Sequence, residues 1–110
     1  MDRPPVVGVV DLLDITVILM IEFEFDPRKD DSNREKHGIN FLEAQELWGI
    51  PHFVAEIIQT GAEPRWSIVG ELGGVLYVAI FTRRGNRVRL ISCHRADGRW
   101  RKEYALKILE

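Results

Sequence analysis

The spacing of apolar and polar residues changes several times along this chain, and each change predicts an element. Phe23 and Phe25 alternate with charged neighbours, which predicts a short strand over 21–25. Asp26 and Pro27 then predict the start of a helix over 27–37. A capping carboxylate accepts from the free amides of the first turn, and proline's missing N–H costs nothing at the first helical position. Gly38 is suited to end that helix, and Lys36 and His37 place positive charge in its last turn. Asn40 and Glu43 have capping-box spacing. Phe41, Ala44, Leu47 and Trp48 recur at helical spacing, so a second helix is predicted over 41–48, closed by Gly49 and Pro51.

The pattern then turns to strands. Residues 53–59 read as one strand and 60–64 as a turn. Over 65–72, Trp66, Ile68 and Gly70 fall on one side. Gly73-Gly74 makes a tight turn into 75–82, which is apolar on both faces and therefore suits a central strand. Residues 83–86 read as the next turn. Over 87–93, Arg87, Arg89 and Ile91 face one way and Val88, Leu90 and Ser92 the other. A last helix begins near Gly98, with Trp100, Tyr104 and Ile108 on one stripe. The predicted order is β-α-α-β-β-β-β-α. This is an α+β domain with a small antiparallel sheet of four to five strands, because short turns join consecutive strands. Two helices are expected on one face, leaving the arginines of the last strand on the other.

The first twenty residues stand apart from the domain at 21–110. Residues 5–21 are apolar, but Asp11 and Asp14 interrupt them and only Arg3 precedes them, which argues against a signal peptide or membrane anchor. Two readings remain. Val, Ile and Thr favour an added strand. The alternative, slightly preferred, is that translation starts at Met20.

Charge sharpens this picture. The chain of 110 residues has a net charge of −2. Yet residues 83–102 carry eight basic groups against Asp97 alone, and the other ninety carry 7 basic and 16 acidic groups. So strong a segregation suits a polyanion such as RNA, although alternating arginines also serve a solvated sheet face. A single cysteine, Cys93, excludes an internal disulfide framework and fits the cytoplasm. It reads as a small buried residue rather than a nucleophile. His37, His52 and His94 lack metal-ligand spacing, so neither metal nor cofactor is expected.

Several stretches together carry a resemblance. They are Phe23-Glu24-Phe25-Asp26-Pro27, Asn33 with Lys36-His37-Gly38 and Phe41, and Glu63 with Arg65-Trp66. Val78 to Thr82 with Arg84, Arg87 to Ser92, Arg95-Ala96, and Arg101 with Tyr104 complete the set. As an ordered set spanning about 23–106, they resemble the BrnT toxins of bacterial toxin–antitoxin pairs. The resemblance implies a RelE-like fold, metal-free RNA cleavage and growth arrest. It also implies neutralisation by a BrnA-like antitoxin, through which promoter DNA is bound. Sheet edges would be covered by that antitoxin or by a second copy of the chain.

Metal-free cleavage uses the 2′-OH as nucleophile and needs a base, an acid and charge stabilisation at phosphorus. The implied roles follow. Arg89 and Arg95 would hold the phosphate or stabilise the transition state, since guanidinium forks match phosphate oxygens. His94, the histidine of the basic segment, would be the acid or base. Tyr104 would donate a proton, although its place on the apolar stripe equally suits core packing. Arg84, Arg87 and Arg101 would track the RNA backbone, with Lys36 and His37 joining if the first helix ends near the basic face; otherwise these two are a solvated helix end. The chain departs from the family at Ser92-Cys93-His94-Arg95, where Ser-Ala-Arg followed by a basic residue is common. It departs again at Trp100-Arg101, where Glu-Arg is common. A degenerate module that binds antitoxin or RNA without cleaving is the alternative reading.

Overall fold

Local capping chemistry sets the helices that frame the site. In the computed structural model, which describes residues 15–57, 61 and 63–109, Asp26 accepts from the Arg28 amide at 3.0 Å and starts α2, Pro27–His37. That carboxylate also pairs with the Arg28 guanidinium, which holds its pKa below the usual range. Gly38 ends α2 at φ 74°, and its amide donates to the Arg34 carbonyl at 2.7 Å. A side chain would strain that left-handed conformation. The predicted capping box is formed: the Glu43 amide donates to Asn40 Oδ1 at 2.7 Å, and the Asn40 amide to Glu43 Oε1 at 3.0 Å. It opens α3, Phe41–Ala44, which tightens into a 3₁₀ turn, Gln45–Gly49. The Phe41 amide donates to Asp30 Oδ1 at 2.8 Å, tying α3 to α2.

A five-stranded sheet follows, formed by β1 (Glu22–Phe25), β2 (His52–Ile57), β3 (Arg65–Leu72), β4 (Val75–Arg84) and β5 (Arg87–Arg95). Residues 58–60 and 62, where the end of the expected strand and part of its turn fall, lie outside the described residues. Arg83 and Arg84 are strand rather than turn. Spatial order is β1-β5-β4-β3-β2. β2 to β5 form the antiparallel meander, but β1 lies parallel to β5, so the sheet is mixed. A helical crossover follows β1 instead of a hairpin, which frees its direction. The parallel register sets Phe23 and Phe25 beside Val88 and Leu90, and Glu22 and Glu24 beside Arg87 and Arg89. Apolar and charged pairs are thus both matched.

One face of the sheet packs against α3, the 3₁₀ turn and the Ile39 link that joins α2 to α3. Ile68, Ala79, Phe81, Leu90 and Cys93 meet Ile39, Phe41 and Leu47 there. An aromatic row, Phe23 to Trp48 to Phe81 to Trp66, crosses this layer with centroids 5.1–5.9 Å apart. The opposite face is not bare, as the sequence had suggested. The last helix, α4 (Gly98–Tyr104), with a π-helical turn at Ala105–Leu109, covers Phe53, Val69 and Val78 with Tyr104 and Trp100. Asp97 caps α4 by accepting from the Arg99 and Trp100 amides at 3.0 and 3.2 Å.

Among the described residues, a helix precedes β1. Ile15–Met20 forms α1, which packs against the 3₁₀ turn, so the added-strand reading fails for these residues. Tertiary contact overrides the weak β-propensity of Ile and Val here. The rest of that expectation, over 1–14, lies outside the described residues.

The alternation along β5 also breaks. Ile80 lies opposite Ser92 and Phe81 opposite Leu90, leaving Ile91 as an unpaired bulge residue. One inserted residue inverts the alternation beyond it. Cys93 therefore joins Leu90 in the core under α3 and the 3₁₀ turn. Ser92 and His94 fall on the side of Arg87 and Arg89, not opposite to them.

Candidate active site

β1 ends opposite Leu90, so the second half of β5 has α2 rather than a strand along its outer edge. Asn33 of α2 fastens the two. It is 8% exposed, and its side-chain amide donates to the Ile39 and Cys93 carbonyls, both at 2.8 Å. The Cys93 amide donates back to Asn33 Oδ1 at 3.3 Å. These bonds lock the Gly38-Ile39 turn to the end of β5. Sequence reading recognised Asn33 only as part of a motif. The available signal was an uncharged amide within an otherwise charged helix.

The fastening creates a cleft of 490 Å³ lined by Lys36, His37, Gly38, His94 and Arg95. The His37 and His94 rings face each other with centroids 5.9 Å apart at 57°. Arg95 Nη2 lies 3.8 Å from where a β-carbon on Gly38 would sit. The guanidinium thus lies in van der Waals range of the turn that ends α2, where the left-handed backbone is what calls for glycine. Among the described residues no carboxylate is within ion-pair distance of Lys36, Arg95 or Arg101. Burial lowers the His94 pKa below its ordinary value, and the neighbouring His37 lowers it further; Asp97 opposes the shift. Burial and His37 both favour the neutral imidazole, the form that can accept a proton.

Arg95 also borders a second cleft, with Arg101, Tyr104 and Glu71. Tyr104 is only 6% exposed and belongs to the core under α4. Burial raises its pKa, and Glu71 adds to the rise. It is first a packing residue whose edge reaches a cleft.

The remaining predicted arginines gather at the other end of the sheet. Arg84 pairs with Glu63 at 3.1 Å, Arg87 with Glu22 at 3.1 Å, and Arg89 with Glu24 at 2.6 Å. Arg89 lies roughly 15 Å along the strand from His94, given about 3.4 Å per residue. The structure therefore unites Lys36, His37, His94 and Arg95, sets Arg101 and Tyr104 alongside, and separates Arg84, Arg87 and Arg89. Cys93 beneath the cleft is buried, and burial pushes its thiol up to about 12, which leaves it inert.

Among the described residues no group of three or more His, Cys, Asp or Glu side chains forms a candidate metal site, and no helix is long and apolar enough to cross a membrane. Residues 25–99 match the family model of BrnT, the ribonuclease toxin of type II toxin–antitoxin systems. No curated protein and no solved structure gives a match.

Proposed function

The chain belongs to the BrnT family of ribonuclease toxins of type II toxin–antitoxin systems, and from that premise we propose that it cleaves RNA at the cleft between α2 and β5 without a metal, and so arrests growth. The observation that carries this reading is the convergence of two histidines and two cations on one cleft. His94 takes the proton from the 2′-OH. The 2′-oxygen attacks phosphorus in line with the departing 5′-oxygen. His37, across the cleft, returns a proton to that oxygen, leaving a cyclic phosphate and a 5′-OH. Arg95 and Lys36 hold the phosphate oxygens as negative charge builds on them. Arg101 receives the adjoining backbone. The requirement for a 2′-OH selects RNA over DNA. In this scheme Arg89 has no catalytic role, and Tyr104 supports Arg95 and Arg101 by packing.

A sheet with helices on both faces is consistent with a RelE-like fold. Neutralisation by a BrnA-like antitoxin in the cytoplasm fits the family, and that partner supplies the promoter contacts. The outer edge of β2 offers the antitoxin, or a second copy, unpaired backbone groups.

Expressed alone, the protein is expected to stop bacterial growth. The purified protein is expected to cleave RNA in EDTA. Normal growth at verified folded expression, with no cleavage in vitro, overturns this reading. It would favour the degenerate module suggested by His94 and Trp100 standing where the family commonly has other residues.

A further inference from the structure

His94 has a second side. A groove of 490 Å³ between β2 and α4 shares this residue with the cleft, and its wall includes Phe53, Ile80, Trp100, Asp97 and Glu103. We propose that this groove holds the base of the nucleotide next to the scissile phosphate, and that the base is guanine. The proposal rests on the reading of the cleft as an RNA-cleaving site.

Three observations carry it. The first is continuity, since a phosphate in the cleft and a base in the groove would be neighbours around His94. The second is the aromatic wall. Phe53 and Trp100 lie 6.2 Å apart at 36°, and Ile80 continues the apolar surface. A planar base stacks well on such a wall. The exposed Arg99 guanidinium lies 4.9 Å from the Trp100 ring centroid and Lys107 Nζ 5.4 Å from that of Phe53, so a base stacks on this wall by displacing or sandwiching surface cations.

The third observation is charge. Asp97 and Glu103 repel phosphate and accept hydrogen bonds, which suits the donor edge of a base. Asp97 is engaged in capping α4, and Glu56, which also borders the groove, alternates with Phe53 and Ala55 along β2 and so belongs to the opposite face of the sheet. Glu103 stands one helical turn after Trp100, so ring and carboxylate share a face. Its nearest cation is Lys107, at 3.9 Å, and its side chain is 47% exposed. Among the four bases, guanine alone presents two parallel donors, N1–H and the 2-amino group, to a single carboxylate. Adenine and cytosine offer an amino group beside an acceptor that the carboxylate repels, and uracil offers one N–H.

The test is a titration of the purified protein with GMP, AMP, CMP and UMP, read by tryptophan fluorescence. It is paired with cleavage of short RNAs that vary at the base beside the scissile bond. Trp48 and Trp66 lie in the core on the other face of the sheet, so the response is expected to vanish in Trp100→Phe. GMP is expected to bind about tenfold more tightly than UMP, the scale of a bidentate contact with a base. Glu103→Gln is expected to remove that preference at an unchanged melting temperature. Equal response to all four nucleotides, or an unaltered preference in Glu103→Gln, overturns the proposal. The two readings separate cleanly. Cleavage without base preference rejects the groove and keeps the ribonuclease. Selective GMP binding without cleavage keeps the groove and rejects the ribonuclease.

Discussion

The two ends of β5 carry the same kind of residue in different surroundings. At the Arg87 end, arginines lie against carboxylates that β1 and the loop before β3 deliver: Arg87 with Glu22, Arg89 with Glu24, and Arg84 with Glu63. At the Arg95 end, β1 has left the sheet and α2 has taken its place. That helix brings Lys36, which adds positive charge instead of cancelling it, together with the His37 ring. A count of basic residues treats both ends alike. Only pairing separates cations that hold the fold from cations that can receive a phosphate.

The largest expected effects break the Arg95 end. Arg95→Ala is expected to lower single-turnover RNA cleavage by about 10²–10³-fold, the scale of losing a preorganised charge contact. His94→Ala is expected to cost about 10²–10⁴-fold through loss of proton transfer. Arg87→Ala should leave cleavage near the parent rate. Equal losses at both ends would return the whole basic segment to the RNA surface and dissolve the comparison.

The pH profile sharpens the same contrast. Burial and His37 depress the His94 pKa, so the acid limb of the cleavage profile is expected below pH 6.5, where His94 becomes protonated. His37→Gln removes one depressing charge and should move that limb upward, with a lower maximal rate. Stability follows the same sign. Unfolded His94 titrates near 6.5 and folded His94 lower, so the unfolded chain binds more protons as pH falls through this window. His94's contribution to stability is therefore complete above the unfolded value and is lost through the folded one. Denaturant midpoints measured across that range should fall with acid, and fall less in His94→Gln.

Next in size is the fastening itself. Asn33→Ala strips the Cys93 amide and the Ile39 and Cys93 carbonyls of their partner in a buried place. Unsatisfied buried groups cost about 1–3 kcal/mol. The variant should therefore unfold at lower denaturant, and its remaining folded fraction should cleave slowly because His94 and Arg95 are no longer held beside α2. Full activity per folded molecule would show that β5 positions the site without help from α2.

What the sequence reveals and what it hides divide along the same line. The caps at Asp26, Gly38 and Asn40 were readable because each depends on residues within one turn. The meander was readable because short turns leave few alternatives. The bulge at Ile91 was not, since an unbroken alternation is what β5 shows in isolation; its pairing with β4 inserts the extra residue. The parallel placement of β1 was hidden too, and with it the neutralisation of Arg87 and Arg89 by glutamates far earlier in the chain. His37 and His94 were each named as candidates. That they face one another depends on Asn33, whose partners lie beyond any local pattern.

The smallest effects concern the Arg87 end, and they decide whether it is only structural. Arg89 and Glu24 are 30% and 26% exposed, whereas Arg87 and Glu22 are 61% and 71% exposed. Exposed pairs contribute little, because water screens them and long side chains lose freedom in making them. A double-mutant cycle should therefore give about 1 kcal/mol for Arg89–Glu24 and a value near zero for Arg87–Glu22. Glu24→Gln adds the decisive measurement, since it releases Arg89 while keeping the shape of β1. If the pairing is structural, RNA affinity and its salt dependence stay as they were and stability falls slightly. If affinity instead rises and its salt slope steepens by about one unit, as one new phosphate contact requires, then Arg89 is an RNA-binding cation that β1 holds in check. The difference between the two ends of β5 would then be one of regulation rather than of role.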